Sequence, residues 1–586
     1  MIHSRKARLS AGIVLGVAAL TTPLAALAGP ASAAPSAAAK SASYQATPGS
    51  AKRLTQAASI SSLPTVTLKP GVQGPRVLTP IRLKGTSTIG ASSAATAGPA
   101  TMGGLNGVLR SFNGLSDLDQ ANLNGGVLAG TVTPPDQGLC VGNDPTLAGS
   151  PKAVFEPIND AVRETSTSGA LLRPDASLAT LFQDPFAEGD VRCLYDAATQ
   201  SFYFTEIGYP VATGPVVPAG DPLPLNTVAD VAVLNKNGIA AYQFDTSLGG
   251  TCFGDQPKTG FDNNALVIST DEYCGANETE IGAIAVVISK PQLVAEDATV
   301  NDAVTGAVSL AGDPVVGMDP AIGTGSGTAY FVNSVPFLAN GNNNPVGNTL
   351  GLWTLTNTAA VTTGVGSVTL TSAVLPSEPY AFPVPATSTG DGSVTTVDGI
   401  PITSETALNP DDSRLSGPVE VTRGVFGGVQ LWTALDAALT PRGTTTAQDG
   451  AAWFRIDVGS QRVAQQGYVT ARGANLLYPA IGAPQFGTPL MVFTITSKTI
   501  NPSAAYTVLG SNRIKTVATG TGPHLSFADA PPFNSPRWGD YSFAQVDPSG
   551  TGVWLATEYI PAAADQNPLD NWGTYVFEVN PFSYGY

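Results

Sequence analysis

Histidine is almost missing from this chain: its 586 residues include two, His3 and His524. That excludes His-rich zinc and copper sites, and it leaves any serine–histidine machinery a single base outside the N-terminal segment. No G-x-S-x-G string accompanies His524, so Gly522-Pro-His524-Leu-Ser reads as an ordinary polar loop. Cysteine is scarce as well, at four residues with no C-x2-C pair, which argues against a four-cysteine zinc site. Charged residues make up 12% of the chain. Beyond the first 30 residues no apolar run approaches the roughly 20 residues that a spanning helix needs, so the chain is not expected to cross a membrane.

What is present divides into three parts. Residues 1–33 carry Arg5, Lys6 and Arg8, an apolar run to Ala28, and Ala31-Ser-Ala33, the pattern of a signal peptide. Residues 34–100 are rich in Ala, Ser and Thr, hold seven basic residues and no acid, and read as a flexible tether. Residues 101–586 form the domain. The net charge of −16 is therefore uneven, and by difference the domain carries −26. A domain this acidic repels the nucleic-acid backbone. An exported protein, extracellular or held at the cell wall, is expected. Four cysteines in an exported chain imply disulfides. Three pairings exist; proximity favours Cys252–Cys274, leaving Cys140–Cys193.

From residue 101 helix signals nearly vanish. Glycine (64) and proline (47) punctuate short runs of Val, Ile, Thr, Phe and Tyr, the strand-and-turn pattern of an all-β domain. About 480 residues of such strands is too long for one sandwich, so a repeat is expected. Asp319-Pro-Ala-Ile-Gly323 with its following strand matches Tyr478-Pro-Ala-Ile-Gly482, and weaker copies open at 136, 190, 262, 412 and 540. The spacing predicts a single β-propeller of about seven blades with long inter-strand loops, notably 339–349 and 384–410; six or eight blades remain open. The last strand, Asn571–Val579, is expected to close the ring by completing the first blade.

Gly130-Thr-Val-Thr-Pro-Pro-Asp136-Gln-Gly-Leu-Cys140, Cys193-Leu-Tyr-Asp196, Leu477-Tyr-Pro-Ala-Ile-Gly482, Pro536-Arg-Trp-Gly-Asp540-Tyr and Asn571-Trp-Gly-Thr574 resemble the landmarks of a widespread family of secreted actinobacterial proteins of unassigned function. That family is related to sialidase-like propellers of the Asp-box type. The resemblance spans most of residues 105–580 and implies fold and export, with no catalytic residue carried over. The Asp-box S-x-D-x-G-x-x-W is only approximated by Val546-Asp-Pro-Ser-Gly-Thr-Gly-Val-Trp554, and the nearest string to Phe-Arg-Ile-Pro is Phe454-Arg-Ile-Asp457.

In a propeller the opening aspartates, among them Asp190 and Asp540, ring one mouth of the channel, and Glu206, Glu272 and Glu558 lie on the same face. Arg192, Arg414 and Arg537 stand within three residues of an opening aspartate, an arrangement suited to a carboxylate ligand. Trp538 and Tyr541 are the candidate stacking surfaces. Aspartates ahead of strands also cap their own turns, and arginine–aspartate neighbours neutralise each other. No catalytic constellation is recognisable, so the expected function is a monomeric binding module for extracellular glycan, wall polymer or another surface ligand. The alternatives are a carboxylate-dependent glycoside hydrolase or lyase, in which Asp190 or Asp540 pairs with Glu558, and a structural envelope protein. No cofactor and no metal are expected; a structural calcium ion held by the acidic mouth is the one exception kept open.

Overall fold

The computed structural model describes residues 42–69, 76–77, 95–97, 101–102, 107–217, 223–276, 278–335, 346–511, 513–530 and 536–583. The expected signal segment lies outside them. The described chain is mostly β-strand, arranged in antiparallel runs of four in which each strand pairs with the next in sequence.

Seven such runs follow one another among the described residues. Run 1 opens at Cys140–Asn143, run 2 at Gly189–Asp196 and run 3 at Cys252–Phe261. Run 4 opens at Asp319–Ile322, run 5 at Val419–Arg423, and run 6 at Asn475–Gly482. Run 7 is Phe543–Val546, Val553–Tyr559 and Gly573–Val579, and its fourth strand is Val108–Ser116 from the start of the domain. The expectation for the last strand is thereby corrected. It does not complete the first run; an N-terminal strand completes the last one, because residues 108–116 precede run 1 and have no sheet of their own.

The apolar core is divided among the gaps between runs. Phe155 of run 1 packs against Phe202 and Phe204 of run 2, with ring centroids 4.7 and 5.4 Å apart. Leu266, Ile268 and Ile284 of run 3 share one buried cluster with Tyr203, Val231 and Tyr242 of run 2. Similar clusters join runs 3 and 4, 4 and 5, 5 and 6, and 6 and 7. A further one joins run 7, through Trp554 and Val576, to Val141 and Val154 of run 1. The alternating apolar residues of each strand therefore serve two neighbours. One face of a run packs forward and the other packs back, which is why these strands are buried along nearly their whole length.

The turn after the opening strand repeats as well. Asp144, Asp196, Asp262 and Asp547 each accept a hydrogen bond from the backbone N–H two residues on, at 2.7–2.9 Å. These are Asx-turns, formed because a short carboxylate reaches its own backbone. Asp547 also accepts from Trp554 Nε1 at 3.0 Å and from Lys152 of run 1 at 2.7 Å. Asp262 thus belongs to the turn ending the opening strand of run 3. It was expected at that strand's start, where Asp255 and Gln256 stand instead.

The pairing of cysteines is the one proximity favours: Cys140–Cys193 joins runs 1 and 2, and Cys252–Cys274 joins two strands of run 3. The segment expected to be a loose tether is, over residues 42–69, built into the sheets. The first half of Thr47–Ala57, residues 47–52, pairs with Thr299–Val304, and the second half, residues 53–57, pairs with Gly238–Asp245, the outer strands of runs 3 and 2. Ser43–Gln45 pairs with the outer strand of run 4. The physical reason is edge protection, since an unpaired outer strand presents free N–H and C=O groups. The strand's basic residues also meet acid-rich sheets: Arg53 donates to the Glu296 carbonyl, and Gln56 to its carboxylate at 2.5 Å. A chain lacking residues 1–57 should self-associate through the bared outer strands, giving oligomers in sedimentation velocity where the full chain gives none. A monodisperse truncated chain would refute this role.

Candidate active site

Five runs carry a left-handed residue in or ahead of the opening strand. Asp190, Gln256, Asp411 and Tyr478 adopt φ values of 55°, 49°, 60° and 52°, and Gly317 takes 62° at the matching place in run 4. In runs 2, 3 and 6 the residue sits in a bulge, between Gly189 and Arg192, Asp255 and Lys258, and Leu477 and Ala480. A bulge re-aims a side chain, and left-handed non-glycine residues persist only where their surroundings hold them.

At Gly317 and Tyr478 the holding groups are carboxylates from second strands, and a third such carboxylate holds the Gln137 side chain. Asp271 of run 3 accepts from Gly317 N at 2.9 and 3.1 Å. Asp436 of run 5 accepts from Tyr478 N at 3.0 and 3.1 Å. Glu558 of run 7 accepts from Gln137 Nε2, just before run 1, at 2.7 Å. Gly539 passes over this last acid with φ 152°, and an added Cβ would lie 3.2 Å from Glu558 Oε1. These acids are buried, and burial drives each one's pKa upward, Glu558 to about 8.

The strand starts converge on one charged cluster. Asp136, Asp190 and Asp540 bring carboxylate oxygens within 4.8 Å of one another. Arg537 pairs with Asp540. The Arg192 guanidinium lies over the Tyr541 ring, 3.4 Å from its centroid, and the Tyr541 hydroxyl donates to Asp190 at 3.1 Å. Gln256 Nε2 reaches Asp540 at 3.5 Å, and its Oε1 accepts from Arg414 at 2.9 Å. Lys258 and Asp319 form a buried pair at 3.0 Å.

The three arginines therefore share one neighbourhood, but not as a vacant clamp. Arg414 is bound by Asp411, Asp412 and Gln256. Arg192 is stacked on Tyr541, and Arg537 is taken by Asp540. Trp538 was expected to be a stacking surface and is not one. It is wholly buried, edge-on to His524 with centroids 4.9 Å apart. Tyr541 is also buried; its ring is covered by Arg192 rather than offered to a ligand. Glu206 is buried opposite Asp230 in run 2, and Glu272 is bound by Thr270 at 2.6 Å, so neither joins the three-acid group.

Burial and crowding set the protons. Burial, then the charge of Asp190, holds Asp136 well above the ordinary range for an aspartic acid, against Arg537 and Arg192. Burial and Asp190 likewise push Asp255 up to about 8. Two recesses meet at Tyr541. Both are small; one is lined by Arg192, Lys258 and Asp319, the other by Gln256, Arg414, Asp436 and Asp540.

His524 was read as an ordinary loop residue, and the structure corrects this. It is buried between two acids, with Nδ1 3.0 Å from Glu405 and Nε2 2.8 Å from Asp570. Their charges and hydrogen bonds outweigh its desolvation and raise its pKa to about 10. It fastens the 384–410 insertion to the body, and Leu525–Ser526 adds a strand to the insertion's Ile400–Ser404. Position 405 lies over a hundred residues away, so no local spacing announces the pair.

No family model matches the chain, and no curated protein matches it in sequence. Among solved structures it is similar to an α-L-arabinofuranosidase from Fusarium graminearum in complex with an iminosugar inhibitor. That likeness has 10% identity and a TM-score of 0.32, over 66% of this chain and 91% of the other. An α-L-arabinanase from Penicillium chrysogenum is similar at 11% identity and a TM-score of 0.29, over 67% and 96%. An ulvan lyase is similar at 10% identity and a TM-score of 0.30, over 81% and 94%. The expectation of a binding module without catalytic machinery is corrected at this point. This chain's own centre brings the carboxylate oxygens of Asp136, Asp190 and Asp540 within 4.8 Å of one another.

Two variants test the electrostatics. His524→Gln leaves two buried acids facing a neutral amide and should cost about 3 kcal/mol in urea unfolding. A histidine pKa raised above its unfolded value contributes stability that is complete below about pH 6.5 and is lost as pH rises through about 10. The imidazole should accordingly stay protonated across pH 6–8 by NMR; a midpoint near 6.5 would sink the assignment. Glu558→Gln mimics the protonated acid, so it should match the wild type near pH 4 and be the more stable of the two at pH 7. It should remove that part of the wild-type decline which runs from about pH 4.5, where the unfolded acid ionises, to about 8.

Proposed function

We propose that the chain is an exported, carboxylate-dependent enzyme that cleaves extracellular glycan. The observation that carries this reading is the approach of Asp136, Asp190 and Asp540 to within 4.8 Å beside two recesses. Inverting hydrolysis needs carboxyls about 6.5–9.5 Å apart to admit a water, and retaining hydrolysis about 5–5.5 Å. The group here is on the short side, which favours retention.

Asp136, which keeps its proton, donates it to the leaving oxygen as the glycosidic C–O bond breaks. Asp190 is the most accessible of the three and is oriented by the Tyr541 hydroxyl. It forms the bond to the anomeric carbon, giving a glycosyl ester. Water then attacks that carbon, loses its proton to the Asp136 carboxylate and releases Asp190. Asp540, held by Arg537, keeps the pair in place. Glu558 is assigned to holding the Gln137 turn, not to the reaction.

For the fold we read the seven runs as blades of a closed β-propeller. The support is the apolar cluster between run 7 and run 1, the Gln545 side chain bonded to both backbone groups of Val141, and the fourth strand of run 7. The Asp547–Trp554 contact fits a relation to Asp-box propellers. The four cysteines, now two disulfides, suit the export expected for residues 1–33.

A panel of neutral and acidic polysaccharides, assayed for new reducing ends, tests the reading. Asp190→Asn should lower kcat by about 10³-fold or more with the fold intact, and NMR of the first product should show the retained anomer. Turnover that survives Asp190→Asn, or an inverted product, would overturn it.

A further inference from the structure

The turns after the opening strands fall into two kinds. Those of runs 1, 2, 3 and 7 carry the capping aspartates Asp144, Asp196, Asp262 and Asp547. Those of runs 4, 5 and 6, Gly323–Thr328, Gly424–Gly428 and Ala483–Pro489, carry no acid at all in a chain with 44 of them. The run 5 and run 6 turns instead present large apolar side chains to solvent. Val425 is 98% exposed, Phe426 102% and Phe486 77%, and Phe582 beyond the third strand of run 7 is 53% exposed.

These tips are neighbours. Arg423 N donates to Gln485 Oε1 at 2.7 Å, and Gln485 Nε2 returns a bond to the Arg423 carbonyl at 2.9 Å, tying the two turns side by side. Arg423 also donates to the Thr324 carbonyl of the run 4 turn. A Cβ on Gly487 would stand 3.2 Å from the Phe582 ring, so Phe582 lies against the run 6 turn.

Charge is distributed to match. Between Val419 and Ala518 there are eight basic residues and four acids; Arg442, Arg472 and Lys498 lie in turns at the opposite end, and Asp457, which ends the third strand of run 5, lies at the same end as Arg462. Three of those acids, Glu420, Asp436 and Asp449, are buried, and burial pushes their pKa values up. In an antiparallel run the turn after the first strand and the turn after the third lie at the same end. Arg462 and Arg513, both exposed, begin the fourth strands of runs 5 and 6 and so stand at the end that carries Phe426 and Phe486.

We propose that this end of runs 5 and 6 docks on the surface of a phospholipid bilayer bearing anionic head groups. The phenylalanines and Val425 enter the head-group boundary, and Arg423, Arg462 and Arg513 meet the phosphates. Exposed apolar groups flanked by cations are the chemistry of interfacial binding. Isolated protruding tips suit a deformable surface better than a second copy of the chain. Phe486 and Phe582 are only partly exposed, so the four side chains together supply less than the roughly 800 Å² per partner of a standard protein interface. The mode is peripheral and needs no spanning segment.

The full chain should sediment with vesicles of phosphatidylglycerol and phosphatidylcholine at low salt, and progressively less as salt rises. Phe426→Ser with Phe486→Ser should lower the vesicle partition coefficient at least about tenfold, with an unchanged unfolding midpoint because both rings lie outside the core. Arg462→Gln with Arg513→Gln should flatten the salt dependence while leaving weak binding to neutral vesicles. Absence of vesicle binding by the wild-type chain, or binding that the double phenylalanine variant leaves intact, overturns the proposal. A concentration-dependent dimer that the same variant abolishes would assign the tips to a second copy and overturn it as well.

Discussion

A carboxylate on the second strand of one run holds the first turn of a following run, and the rest of the centre depends on that contact. Asp271 grips Gly317 N, Asp436 grips Tyr478 N, and Glu558 grips Gln137. A left-handed residue in a strand costs of order 1–3 kcal/mol unless its surroundings over-determine it. A buried acceptor aimed at the following turn does so. Each bulge then swings its strand start toward the centre, which is how Asp190, Gln256 and Tyr478 come to face a common space. The acids that looked like a catalytic ring in the sequence are thus of two kinds: those that hold turns, and the few that the held turns present.

The same contact explains the protonation pattern. A carboxylate that accepts one or two N–H bonds gains some stabilisation of its charge, but full burial costs more, and burial is the larger effect for Asp136, Asp436 and Glu558 alike. Cations are few and already committed: Arg414 to Asp411 and Asp412, Lys258 to Asp319, Arg537 to Asp540. A centre with more acids than cations keeps protons instead. This is the condition general-acid chemistry needs near neutral pH. It is met here by a shortage of counter-charges, with no specialised residue.

Strand content and the grouping into repeated runs were legible, because Gly and Pro punctuation and alternating apolar residues are local signals. The disulfide pairing followed from proximity for the same reason. What was illegible depends on distant partners. Asp262 and Asp255 both precede hydrogen-bonding positions of one strand, and only the bulge at Asp255 decides which faces the centre. Trp538 beside Arg537 looked exposed, since a polar, glycine-bearing string gives no hint that the ring faces His524. His524 itself appeared idle because its partners, Glu405 and Asp570, arrive from an insertion and from the last run. Residues 42–69 read as a tether by composition, yet composition says nothing about whether two sheet edges lie open beside them.

The two ends of the runs have consequently diverged. At the end where strands start, the left-handed Gly317 and Tyr478 are each held by a buried acid of the preceding run, so substitutions there act on more than one run. At the opposite end each turn closes through its own local bonds, with a few side-chain contacts between neighbouring runs. An Asx-turn with aspartate is locally sufficient, and a glycine-flanked turn without one is equally able to reverse the chain. That freedom lets runs 5 and 6 give up their aspartates and carry Val425, Phe426 and Phe486 at no cost to the core. Apolar groups this exposed contribute nothing to folding, so what they contribute must come from a surface that covers them. The sector that carries them is also the one where basic residues outnumber acids, although a uniformly acidic surface would keep the chain just as well dispersed. Runs 5 and 6, which like run 4 lack the capping acid, alone join exposed apolar tips to a local excess of basic residues, and one physical demand accounts for that combination: contact with a surface that is apolar within and negatively charged at its boundary.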